Sequence, residues 1–237
     1  MSKSNFWNER EIFVTITTIS DGWKKKIVNI NRLGLKKVAL FITGLDHHDI
    51  SKEKFFKLIE DSCIETIPFV HINNKTSPSD IEYFKNRYKT KVFNIHSEIE
   101  FPQKYDLTKY KKEIYLETLY KYPLTKNELD KYAGICIDIS HMEIAKKNYP
   151  EIYKENSKLI RKYVCGCNHI SAYKENAIER VSRIKESSHF FTDLSQFDYL
   201  FNYPNSYFSN TIALELENDI EDQLKARKYI VELLENK

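Results

Sequence analysis

Short apolar runs recur along the 237-residue chain, and polar residues close most of them. The runs are IFVTITTIS from Ile12, KVALFIT from Lys37, TIPFVHI from Thr66, KVFNIHS from Lys91, EIYLET from Glu113, GICIDIS from Gly134, VCGCNHIS from Val164 and TIALELEN from Thr211. Their Val, Ile, Phe and Tyr content suits strands, and near-continuous apolarity suits strands buried on both faces. Between them the period changes. Trp23, Ile27, Ile30 and Leu33 recur at helical spacing, and Gly34 is placed to end that helix. Ser77-Pro78 opens a helix carrying Ile81, Phe84 and Tyr88, and Thr125 with Glu128 reads as a capping box. Leu224, Ile230 and Leu233 line one side of a final helix.

Strands alternating with helices in this way predict an α/β fold, a single (β/α)8 TIM barrel over residues 1–237. The gap before the last strand is longer and holds SSHFFTDLSQFDYLFNYP. We expect an inserted segment at about 186–208 there, with an extra strand and helix over the C-terminal mouth. Its aromatics Phe190, Phe191, Phe197 and Tyr199 are read as core, with stacking on a substrate ring as the alternative. A doubly wound open sheet is the competing architecture, but the chain has no GxGxxG loop or P-loop.

Composition narrows the class. The 37 basic and 34 acidic residues leave a net charge of +3 and are scattered, which reads as a solvated surface and gives little support to a nucleic-acid partner. No apolar run approaches the ~18 residues needed to cross a bilayer, and MSKSNFWNER has no signal-peptide core, so a cytoplasmic protein is expected. Cys63, Cys136, Cys165 and Cys167 form no CxxC pair and are read as reduced, mostly buried thiols.

In a TIM barrel chemistry sits at the C-terminal ends of the strands. Here those ends carry His71, His96, Glu117, Asp138, His169 and Glu217, with His141 three residues beyond Asp138 and His189 in the inserted segment. Only His47 and His48, in GLDHHD, fall elsewhere among the seven histidines. Three carboxylates in one mouth repel unless a cation neutralises them. One or two divalent ions are the economical solution, and imidazole with carboxylate suits zinc first, then manganese or iron.

The D-x-x-H of Asp138 and His141, with ET at Glu117, NHIS at His169 and LEN at Glu217, resembles the xylose isomerase-like TIM barrels. That superfamily holds sugar and sugar-phosphate isomerases and epimerases, and the apurinic endonuclease family that includes endonuclease IV. The resemblance implies one metal held by Glu117, Asp138, His169 and Glu217. PFVHI and FNIHS place His71 and His96 where the endonuclease branch carries two zinc-binding histidines, implying a second metal bridged by Glu117. A third metal in that branch uses the D-x-x-H histidine and a later D-x-H, here Ser187-Ser188-His189, which lacks the aspartate; Asp193 is the nearest substitute.

Three functions compete. Metal-assisted phosphoester hydrolysis at a dinuclear site gives His71 and His96 a task. Isomerisation of a sugar or sugar phosphate would need one metal, with Glu117 and Glu217 moving a proton and His141 orienting a substrate oxygen. A non-catalytic metal-binding barrel is the third. The favoured expectation is hydrolysis of a small phosphorylated substrate.

Overall fold

The computed structural model describes residues 9–175 and 188–237. Nine parallel strand segments form one nearly closed sheet. In chain order they are β1 (Glu11–Phe13), β2 (Thr15–Thr17), β3 (Ala39–Phe41), β4 (Phe69–His71), β5 (Val92–Ile95), β6 (Ile114–Glu117), β7 (Gly134–Asp138), β8 (Cys165–Ile170) and β9 (Thr211–Leu214). β1 and β2 are one strand divided at Val14. Glu11 lies level with Thr211 of β9, whereas Thr15 lies level with Ala39 of β3. The first strand thus joins last to second, and the α/β fold is a TIM-like barrel with its first strand split.

The seam left by that split is stitched by side chains. Gln223 accepts from the Thr15 N–H at 2.7 Å and donates to the carbonyls of Thr15, Leu216 and Asn218 at 3.0–3.1 Å. A buried amide here replaces ladder hydrogen bonds that the interrupted strand cannot make.

The connecting helices are α1 (Trp23–Leu33), α2 (Lys52–Glu60), α3 (Pro78–Tyr88), the single turn α4 (Lys126–Leu129), α5 (Ile139–Asn148), α6 (Pro150–Ile160) and α7 (Ile220–Glu235). Gly34 ends α1 with a positive φ of 65°. Ser77 and Asp80 make the capping box of α3. At α4 only half a box forms: Thr125 caps, but the Glu128 carboxylate turns to the Ser97 hydroxyl at 2.5 Å. Pro150 separates α5 from α6, with Tyr149 before it in a non-helical conformation.

The described part of the inserted segment forms two 3₁₀ helices, Leu194–Asn202 and Asn205–Tyr207, and no strand. Tyr199 donates to the Ser171 carbonyl and Tyr203 to Glu143 of α5, each at 2.9 Å, while Tyr229 of α7 donates to Asp198. The segment therefore fills the helix position on the flank between α5 and α7, with Phe191, Phe197 and Tyr199 buried as core. Residues 186 and 187 lie outside the described residues.

Strand periodicity sorts the barrel into two layers. Alternate residues share a face. The inward residues Phe13, Ala39, Phe41, Phe69, Cys136, Cys167 and Ala213 pack as an apolar plug, with Phe41 and Phe69 edge-to-face at 5.8 Å. Two residues further along, the same faces present His71, Glu117, Asp138, His169 and Glu215. The polar layer thus rests on a dry floor, and the outward residues, such as Leu40, Val70, Leu116, Ile137 and Leu214, form the larger core beneath the helices. The four cysteines are free; Cys136 and Cys167 are buried in the plug, and Cys63 and Cys165 are half-buried.

Candidate metal centre

Asp138 ends β7 and is also the N-cap of α5. Its Oδ1 accepts from the His141 N–H at 2.8 Å and from the Ser140 hydroxyl at 2.6 Å. That is the local reason for the D-x-x-H spacing: a cap bonds the amide three residues on. Capping uses one oxygen and leaves Oδ2 facing the barrel, where it is buried without a hydrogen-bond partner.

Glu117 stands at the centre. Its Oε2 lies 3.3 Å from His71 Nε2, 3.4 Å from His169 Nδ1 and 3.6 Å from His96 Nε2. Its Oε1 lies 3.4 Å from His141 Nδ1. His169 Nδ1 also lies 3.3 Å from Glu215 and 3.9 Å from Asp138. Asn94 donates to Glu117 Oε2 at 3.0 Å from a fully buried position. The sequence offered one sign of Asn94: it precedes His96 by two in FNIHS and so shares its face.

Charge in the cluster is shared unevenly. Burial drives the Glu117 carboxyl up, but His169, His96 and His71 outweigh it and hold it well below the usual carboxylate range. Burial likewise raises Glu215, and His189 with His169 brings it down to about 2. Burial keeps Asp138 above its ordinary value despite His141. Burial would lower His141, yet Asp138 and Glu117 carry it up to about 10. His71 goes the other way: burial dominates and keeps it neutral.

Two overlapping donor sets result. Glu117, Asp138, His169 and Glu215 offer ligand atoms within 4.8 Å of one another, and so do His71, Glu117 and His169. All five are buried. His71 Nδ1 and Nε2, Glu117 Oε1, Asp138 Oδ2, His169 Nδ1 and Nε2, and Glu215 Oε2 have no hydrogen-bond partner. Orphaned groups of this kind cost about 1–3 kcal/mol each, more when charged. The donor set fits a divalent cation, which would satisfy these atoms together. The barrel therefore carries a buried acidic and histidine cluster able to hold a metal ion.

Glu217 is a correction. It does not join the cluster; Glu215 does. Glu217 accepts from Thr17 and from Ser20, the latter at 2.5 Å, and its carboxylate lies 3.6 Å from the buried ammonium of Lys26. In TIALELEN both glutamates share the inward face, and β9 ends at Leu214, so the first glutamate meets the mouth and the second has passed it. His96 and His141 face Glu117 but stand outside the two sets. His189 Nδ1 lies 3.3 Å from the Glu215 carbonyl oxygen and 3.5 Å from the Ser171 hydroxyl. Asp193 is exposed and caps Leu194–Asn202 through Ser195, so it supplies no ligand beside His189.

Above the cluster lies a cavity of about 290 Å³, lined by His96, Glu117, His141, His189 and Glu215, with Phe101 and Tyr120 on its walls. Phe101 lies against His96 and Tyr120 against His141, each pair with ring centroids 5.2 Å apart. Among the described residues no helix is long and apolar enough to cross a membrane. No protein-family model matches the chain, and no curated protein matches it.

Proposed function

We propose that this barrel is a divalent-metal-dependent phosphoester hydrolase of the xylose isomerase-like superfamily, working at a two-ion site. The observation that supports this reading is that one buried carboxylate, Glu117, belongs to both donor sets, with His71 and His96 on it beyond the Asp138, His169 and Glu215 group. His71, His96 and Glu117 would hold one ion; Glu117, Asp138, His169 and Glu215 would hold the other. Zinc suits these donors best, with manganese or iron next. Ions bound there supply a water activated near neutral pH and charge for the phosphoryl oxygens.

The chain's own residues do the rest. Asn94 fixes the orientation of Glu117 through its hydrogen bond to Oε2. Thr118 fixes His141, whose Nδ1 lies 3.1 Å from the Thr118 carbonyl oxygen. The cavity of about 290 Å³ fits a small phosphorylated substrate. Elemental analysis of protein purified without chelator, with a panel of phosphoesters assayed before and after chelation, tests the reading. Two equivalents of metal with chelator-sensitive hydrolysis are expected; fewer than two, or no hydrolysis of any ester, refutes it.

A second reading has one observation of its own. Glu117, Asp138, His169 and Glu215 already complete a four-donor set without His71 or His96. One ion there would serve sugar or sugar-phosphate isomerisation, with Glu117 and Glu215 as the carboxylate pair in place of Glu117 and Glu217. One equivalent of metal and isomerisation of a sugar phosphate would favour it.

A further inference from the structure

The adjacent histidines of GLDHHD lie outside both donor sets, and the turn that carries them treats them differently. Gly44 leads into the 3₁₀ turn Leu45–His47 and donates to Thr18 Oγ1 at 3.1 Å. A Cβ on Gly44 would lie 2.2 Å from the Thr18 carbonyl oxygen, so the turn is pressed onto the backbone after β2. Leu45 is buried beneath it. His48 is held at both ring nitrogens: Nε2 lies 2.6 Å from the Thr18 carbonyl oxygen and Nδ1 3.3 Å from Asp21. His47 is anchored only by its backbone, which donates to the Gly44 carbonyl at 3.0 Å. Its imidazole is exposed and has no hydrogen bond or ion pair among the described residues.

That free imidazole lines the mouth cavity and also a second cavity of about 300 Å³ beside it, where Asp46, Asn73, Asn74 and Lys75 lie. The two cavities share Thr43, His47, His96 and Phe101. Of these four, two carry an imidazole, His47 and His96, and His96 faces Glu117. His47 therefore stands on a braced turn where the metal cavity passes into the second one.

Resting on the phosphoester reading, we propose that His47 is the general acid of that reaction and that the substrate is the phosphoester of an aliphatic alcohol. The phosphoryl group lies in the first cavity and the alcohol in the second. The oxygen of a water bonds to phosphorus, and the phosphorus–oxygen bond to the alcohol breaks. The electron pair of that bond stays on the leaving oxygen, which takes its proton from the His47 imidazolium. The proton of the attacking water passes to solvent, and solvent reprotonates the imidazole.

Leaving-group dependence tests this. His47→Gln and His47→Asn, both metal-loaded, are compared with the unsubstituted protein on glycerol phosphate and on p-nitrophenyl phosphate. Loss of a general acid lowers kcat on glycerol phosphate by about 10²–10⁴-fold and leaves p-nitrophenyl phosphate within about threefold, because p-nitrophenolate departs without a proton. Metal content by elemental analysis is unchanged in both variants. Equal losses on the two esters, or loss of metal, overturn the assignment of His47 alone. If the unsubstituted protein cleaves neither ester, the phosphoester reading fails and the role of His47 fails with it.

Discussion

The two glutamates of LELE have opposite duties in the structure, and their amides should separate them. Glu217→Gln removes the counter-charge of a fully buried Lys26, whose ammonium otherwise donates, among the described residues, to Thr17 Oγ1 at 3.1 Å and the Leu216 carbonyl at 2.7 Å. Breaking a buried ion pair from one side costs about 3–5 kcal/mol. The lower end applies here: burial pushes Lys26 down to about 8 even with Glu217 beside it, so without that carboxylate the amine sheds its proton at pH 7 rather than stay charged and unpaired. For a chain of this size about 3 kcal/mol lowers Tm by roughly 6–12 °C. Metal content should not change. The gap should narrow as pH rises towards 8 and then stay level, because Lys26 is by then neutral in the unsubstituted protein as well. Glu215→Gln removes one of three buried carboxylates that converge on one point, so the metal-free Tm should move less. Metal stabilisation, about 2.7 kcal/mol at a hundredfold excess over Kd, should instead disappear. Calorimetric melts with and without chelator, beside elemental analysis, give all four quantities. A Glu217→Gln protein that loses its metal, with a Glu215→Gln protein that keeps it, would refute the assignment.

Other outcomes follow from the same geometry. Glu117→Gln should strip most of the bound metal, since both donor sets use that carboxylate; full retention by elemental analysis would break the bridging role. Asp138→Asn should keep the α5 cap and lose metal, whereas Asp138→Ala should lose both and cost about 1 kcal/mol more in a metal-free urea melt. In the metal-free protein, protonated His141 stabilises the fold fully below its ordinary value of 6.5, and that contribution fades as pH rises through about 10. An ion on Asp138 and Glu117 would offset the negative charge that holds this proton on His141, so affinity should climb by up to about tenfold per pH unit across that window. Competition titrations with manganese at pH 7 and pH 8 would show it, and equal affinities would refute it.

The barrel was legible because the runs are nearly continuously apolar and polar residues close most of them. His71, Glu117, Asp138 and His169 were legible by the same rule, being the final residues of β4, β6 and β7 and, on β8, the last but one. The miss at Glu217 has a local cause. Alternation in IALELE fixes which face a glutamate takes but not where the strand leaves the sheet, and a shift of two residues keeps the face. Asn94 escaped notice because a neutral amide carries no charge that needs explaining. The split of the first strand was hidden for another reason: IFVTITTIS is one uninterrupted run, and its change of partner at Val14 depends on how the barrel closes rather than on local preference.

That split bears on how copies of the chain avoid one another. A barrel has no free edge only while its first strand stays in place. Here that strand spends three residues on β9 and three on β3, with Gln223 and the Lys26–Glu217 pair fastening the step between them. If those fastenings loosen, both β3 and β9 are left with unpaired backbone, two parallel edges ready to recruit a strand from a neighbouring molecule. Gln223 and Lys26, remote from the chemistry, are on this view the residues that guard against self-association.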